Sequence, residues 1–166
     1  MPGRRPITAA LALLVAALAV FLVIHGSAGD SSSDAADVPG GADPALVQVV
    51  VDWARAESSG DNEAAASYFA IPSFAQNGFM FHIQTADQAR KFNASLPCGA
   101  IVQEAVEEGR YIVVTFRLGD KANSNDCGAG AGETARTAFL IEHGKIVEWR
   151  RVADERAAPP APSSST

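Results

Sequence analysis

The chain has 166 residues, with 13 Lys+Arg against 19 Asp+Glu and a formal net charge of −6. That length suits one domain of roughly 100–120 residues with appendages. Arg4 and Arg5 precede an apolar segment, so 11 of the 13 basic residues face all 19 acidic ones in the rest; no basic stripe runs through it, which excludes nucleic acid as a partner.

The N-terminal part, residues 1–28, opens with "MPGRRP" and continues as "ITAALALLVAALAVFLVI". Ile7 to Ile24 carries no charge. As a helix those residues would span about 27 Å, close to the hydrocarbon thickness of a bilayer. Arg4 and Arg5 favour a cytoplasmic start and place the rest of the chain outside. Two readings stay open. The segment is an anchor crossing the membrane through residues 7–24, or a signal peptide cut near "HGSA", where Gly26 and Ala28 are small enough for cleavage. The first localises the chain to the cell membrane and the second secretes it.

Residues 29–42, "GDSSSDAADVPGGA", offer almost nothing to bury and read as a flexible linker. Residues 155–166, "RAAPPAPSSST" with Glu155 before it, read as a disordered tail on the same ground. The domain lies between them, residues 43–154. Its two cysteines, Cys98 and Cys127, are expected to bridge outside the cytoplasm, the alternative being two free buried thiols.

"DPALVQVVVDWARAES" predicts a helix with Asp43 as cap and Pro44 at its first position. Leu46, Val49, Val50 and Trp53 recur at helical spacing. "DNEAAASYFA" predicts a shorter helix, stopped at Ile71-Pro72. "PSFAQNG" reads as a loop or short strand ending in a turn dipeptide, and "FMFHI" as a strand. "TADQARKFNASL" predicts a third helix between Thr85 and Pro97. Then "AIVQEAVEEGRYIVVTFRL" and "ETARTAFLIEHGKIVEWRRV" predict two hairpins, turning at Glu108-Gly109 and His143-Gly144. In that register Ile101, Ala105, Ile112, Val114, Phe116 and Leu118 share one face, and Arg136 shares a face with Trp149 and Arg151. The expected class is α+β, with three N-terminal helices packed on a curved antiparallel sheet.

This order, with Gly60-Asp61, Asn77-Gly78 and Gly144-Lys145-Ile146 at their places, resembles the nuclear transport factor 2-like superfamily, which includes SnoaL-like cyclases and ketosteroid isomerase. The resemblance spans about Pro44 to Val152. It implies a cone with an apolar pocket, and often a homodimer through the sheet. The isomerase's three catalytic places fall here on Trp53, on Gln76 or Asn77, and near Arg136, none of which is an acid or a titrating base. The resemblance also implies that Val147 and Trp149 face the cavity. Trp149 is therefore the leading pocket residue, followed by Trp53, Phe116, Phe69, Phe74 and Arg136. His82 is the one histidine placed to point inward; His143 reads as a turn residue and Glu148 with Arg150 as a surface ion pair. No His, Cys or carboxylate group shows metal-ligand spacing, and neither metal nor cofactor is expected.

The expected function is that of an extracytoplasmic, tethered, non-catalytic domain binding a small apolar ligand or an envelope protein. One rival is a cyclase- or isomerase-type acid–base enzyme, which an open pocket holding an ionisable group of shifted pKa would favour. The other is a structural accessory domain, which a dry pocket closed around Trp53 and Trp149 would favour.

Overall fold

The computed structural model describes residues 35–122 and 127–153; the apolar segment 7–24, most of the linker's first half and the tail 155–166 lie outside the described residues. Among the described residues no helix is long and apolar enough to cross a membrane.

Helix α1 (Pro44–Ser58) is capped by Asp43, whose carboxylate accepts from Ala45 N at 2.8 Å. It buries Val47, Val50, Trp53, Ala54 and Glu57. Leu46 and Val49, expected in that stripe, lie half-buried at its margin. Asp61 caps the short α2 (Asn62–Ser67) in the same way. Strands β1 (Phe69–Asn77) and β2 (Phe79–Ile83) follow as a hairpin, and only then α3 (Ala86–Ser95), capped by Thr85. β3 (Gly99–Glu108), β4 (Tyr111–Gly119), β5 (Thr134–Glu142) and β6 (Lys145–Val152) complete a six-stranded sheet in the order β2-β1-β6-β5-β4-β3.

Two expectations change here. The helices are not all N-terminal to the sheet, because the segment that reads as a loop or short strand, "PSFAQN", is part of the longer strand β1 and a hairpin separates α2 from α3. The sheet is not purely antiparallel either: β1 runs parallel to β6, with Ala75 beside Trp149. Pro72 and the Asn77-Gly78 pair disguise β1 in the sequence, and the ladder to β6 is interrupted between Phe69 and Phe74, around the cis Ile71–Pro72 peptide.

Both later hairpins carry a register shift. The first turns at Gly109-Arg110, one residue beyond expectation, and is irregular between Val102 and Glu104. Ile101 therefore faces out, 66% exposed, opposite Arg117, while Ala105, Ile112, Val114 and Phe116 are buried as expected. The last turns at His143-Gly144, with His143 at φ 53, and shifts between Leu140 and Ile141. After that bulge Trp149 pairs with Phe139 and Arg151 with Thr137. One residue of slip sends alternate side chains to the other face. Arg136 accordingly sits on the outer face, opposite Val152, and pairs with Glu108 at 3.1 Å.

Part of the expected linker packs on the domain. Ala105 N donates to Pro39 O at 2.8 Å and Ala42 N to Ala105 O at 3.3 Å, so residues 39–42 extend the β3 edge. Gly40, at φ 115, makes this possible: a Cβ there would stand 2.0 Å from Ala105 O.

Candidate functional site

The core between helices and sheet is organised by Trp53. Its ring meets Phe139, Phe116 and Trp149 edge-on, at centroid distances of 5.5, 6.2 and 6.4 Å. Phe92 bridges Trp149 at 5.2 Å and Phe69 at 5.7 Å. Offset and edge-on packing of this kind suits the ring quadrupoles. The aromatic cluster does not fill the cone. A cavity of about 260 Å³ remains, walled by Trp53, Phe116, Trp149, Leu96, Leu118 and Ala135, with Glu57, Asn77, Thr137 and Arg151 also on its lining. It lies just under the ~300–1,000 Å³ usual for drug-sized ligands. A second hollow of about 350 Å³ lies between α1, Val38 and β3. Its lining holds Arg55 and the exposed Ile101 and no aromatic residue, so it reads as a surface groove.

Of the residues expected to line a pocket, Trp149, Trp53 and Phe116 come together on this cavity. Phe69 does not: it is 4% exposed and packs against Phe92 in the core. Arg136 is turned outward by the bulge in the last hairpin. His82 is paired with Phe74 across β1 and β2, its ring 5.0 Å from that of Phe74, and is exposed on the outer face, so it is not an inward-pointing base. Phe74 is itself 41% exposed. Glu148 and Arg150 form the expected ion pair at 2.6 Å, and the Tyr111 hydroxyl donates to Glu148 at 2.8 Å, which raises the Tyr111 pKa.

Sequence reasoning missed Glu57. It stands four residues after Trp53 and continues the buried stripe of α1, and it is 1% exposed. Lys121, in the chain leaving β4, holds its Nζ 2.5 Å from Glu57 Oε1 and donates to Asn93 O at 3.0 Å. Neither Glu57 oxygen has an aligned hydrogen-bond donor among the described residues; the contact with Lys121 is an ion pair of close distance and poor angle. Burial pushes the Glu57 carboxyl up to about 7, against the opposing pull of Lys121. The two indoles differ as well. Trp53 Nε1 donates to Asn93 Oδ1 at 2.9 Å, so Trp53 offers a ligand only its apolar ring. Trp149 Nε1 is buried without a partner among the described residues.

Cys98 and Cys127 are bonded to each other, with a Cα–Cα distance of 4.5 Å and 29 residues of separation. Cys98 belongs to the cavity lining. Ser58 on α1 adds two ties to the same end: its Oγ exchanges hydrogen bonds with Ala100 N and Ala100 O, and its carbonyl accepts from Ala122 N. No cluster of three or more His, Cys, Asp or Glu suited to a metal occurs among the described residues.

No family model and no curated protein matches the sequence. Solved structures do. A Sinorhizobium meliloti protein assigned provisionally to the polyketide cyclases superposes with a TM-score of 0.52 at 18% identity, over 71% of this chain and 98% of that one. A protein of Kribbella flavida assigned provisionally to the ketosteroid isomerases gives 0.52 at 12% identity, over 70% and 83%. A nuclear transport factor 2-like protein of unknown function from Cytophaga hutchinsonii gives 0.51 at 13% identity, over 67% and 91%. At such identities the likeness is one of backbone alone. The described domain has the nuclear transport factor 2-like fold.

Proposed function

We propose that this domain binds a small, largely apolar ligand in the cavity beside Trp53 and Trp149, outside the cytoplasm and tethered to the membrane, and performs no chemistry on it. The cavity carries the reading: eight apolar or aromatic residues wall it, and Trp149 brings an indole N–H that no described residue accepts. A buried donor without a partner is costly, and a ligand acceptor would relieve it. The volume suits a ligand smaller than a drug-sized one. The Cys98–Cys127 bond supports an oxidising compartment, and the uncharged segment 7–24 behind Arg4 and Arg5 supports the tether.

Titrating small hydrophobic carbonyl compounds while following tryptophan emission tests the reading. Trp149→Phe keeps a ring and removes the N–H, so it should weaken binding of carbonyl ligands and spare that of hydrocarbons of equal size. Equal, unchanged affinities for both would remove Trp149 from the site.

The acid–base enzyme is the second reading, and Glu57 is the observation that favours it: an ionisable group with a raised pKa borders the cavity. A general base must come within hydrogen-bond reach of the proton it takes. Both oxygens of Glu57 are buried from solvent and one is held by Lys121, so the binding reading stands first. Glu57→Gln separates the two. A binder keeps its ligand affinity in this variant, whereas an enzyme loses turnover of a substrate with an acidic C–H.

A further inference from the structure

Six large apolar side chains are exposed among the described residues, and five of them, Ile71, Phe74, Phe79, Met80 and Phe81, belong to the β1–β2 hairpin. Phe79 is 78% exposed and Met80 53%. From Phe69 to Ile83 the chain carries no Asp, Glu, Lys or Arg, although it holds 19 acidic residues in all. β2 is also an edge strand, and it has none of the charges or prolines that usually protect an edge.

We propose that the tip of this hairpin is a lipid-inserting element that seats the domain on a bilayer. Cross-strand pairing puts Phe79 and Phe81 on the face of Asn77 and Ala75, and Met80 on the face of Gln76, with Phe74 opposite His82. Apolar groups therefore protrude on both faces of the hairpin. β1 pairs with β6 only as far as Gln76, so beyond it the tip, with Phe79 and Met80, projects past the sheet, where acyl chains can take up apolar groups on either face. The chain outside the described residues points to the same occupant. Ten residues separate Ile24, the end of the uncharged segment, from Ala35, the first described residue, which is buried in the domain's core. Fully extended they reach roughly 35 Å, more than the roughly 24 Å across six strands, so a domain entered at its β3 edge can still lay its β2 edge on the membrane. The inference rests on the tethered reading above. Insertion would be shallow, because the backbone at a hairpin tip needs water or headgroups for its polar atoms. Its strength would come from apolar contact: the cation of α3 that borders Phe81 and His82, Lys91, is already paired with Asp87 at 2.8 Å. Asn77 sits both at the tip and on the cavity lining, so a membrane-dissolved ligand would have a short path into the cavity.

The test uses the full chain reconstituted in vesicles of neutral phosphatidylcholine, with and without bromine on the acyl chains. Phe79→Trp places a reporter at the tip, and Ile101→Trp places one at an exposed apolar position on β3, the opposite edge of the sheet. With the native spectrum of Trp53 and Trp149 subtracted, expected are co-flotation of both variants, a blue-shifted emission at position 79, and its loss with brominated lipid at position 79 and not at 101. Co-flotation with position 79 open to an aqueous quencher keeps the tether and overturns the insertion. Shielding at position 79 without bromine quenching overturns it in favour of a protein partner or a second copy. Failure to float overturns the tether and the insertion together.

Discussion

Glu57 is the residue at which burial and charge conflict most sharply. Its carboxyl has an ordinary value of 4.5 and rises to about 7 in the folded chain. The folded state therefore holds the proton more tightly than the unfolded state. That contribution to stability is complete below about 4.5 and is lost as pH climbs to about 7. Over that window the change is roughly 3 kcal/mol for a group this buried. Denaturant unfolding at a series of pH values should show this slope, and Glu57→Gln should flatten it. A slope unchanged in the variant would assign it to other groups. Lys121 predicts the complementary behaviour. Lys121→Met strands a buried carboxylate, which costs about 3–5 kcal/mol when the carboxyl is ionised. The deficit should shrink in acid, where protonation removes the unpaired charge. The helical spacing of Val50, Trp53 and Glu57 was already a signal for this site: a charged residue on the buried stripe of an amphipathic helix needs a partner, and the sequence does not say where that partner is.

At the scale of elements, periodicity and caps placed α1 and α3 within a few residues and the start of α2 at Asp61, while α2 ends at Ser67 and its expected stop, Ile71-Pro72, lies inside β1. The two later hairpins were legible through their glycine turns. Strand register was not. The irregularities near Gln103 and Val147 are set by how the sheet curves over the helices, and nothing in "IVQEA" or "IVEWR" marks them. The consequence fell on the site. Trp149 stayed inward, Arg136 went outward, and Arg151 with Thr137 and Ala135 took the cavity wall. Residues 39–42 are a further element that composition hid, since Gly-rich sequence reads as linker until an edge strand offers it partners. Gly40 tests that pairing. A methyl group there meets a backbone oxygen that cannot move aside, so Gly40→Ala should detach residues 39–42 from β3. Hydrogen exchange at the Ala105 amide, which donates to Pro39, should then speed up while the amides of β5 keep their protection. Unchanged protection at Ala105 would show that this segment contributes nothing to the edge.

The disulfide joins the element scale to that of the whole molecule. It closes a loop with a separation of 29 residues and ties the end of α3 and the start of β3 to the chain after β4. On the chain-entropy account such a loop contributes about 3–4 kcal/mol. Intact mass of the natively produced chain should fall two hydrogens short of the reduced form, and reductant should lower its melting temperature. The bond is in keeping with the proposed place outside the cytoplasm, where a pair of thiols persists as a disulfide. The proposed topology rests on charge at the other end of the chain. Arg4 and Arg5 are the positive residues that flank the uncharged stretch Ile7–Ile24, and the remainder of the chain is acidic. Positive flanks remain on the cytoplasmic side, whereas an acidic domain has no such retention. A reporter that works only outside the cytoplasm, fused after Thr166, should therefore be active. Its cytoplasmic counterpart at the same position should be silent. Replacing Arg4 and Arg5 by Glu should weaken that asymmetry without touching the domain. Activity of the cytoplasmic reporter in the native chain would place Cys98 and Cys127 in a reducing compartment and remove the export argument, the tether and the bilayer-seated hairpin together.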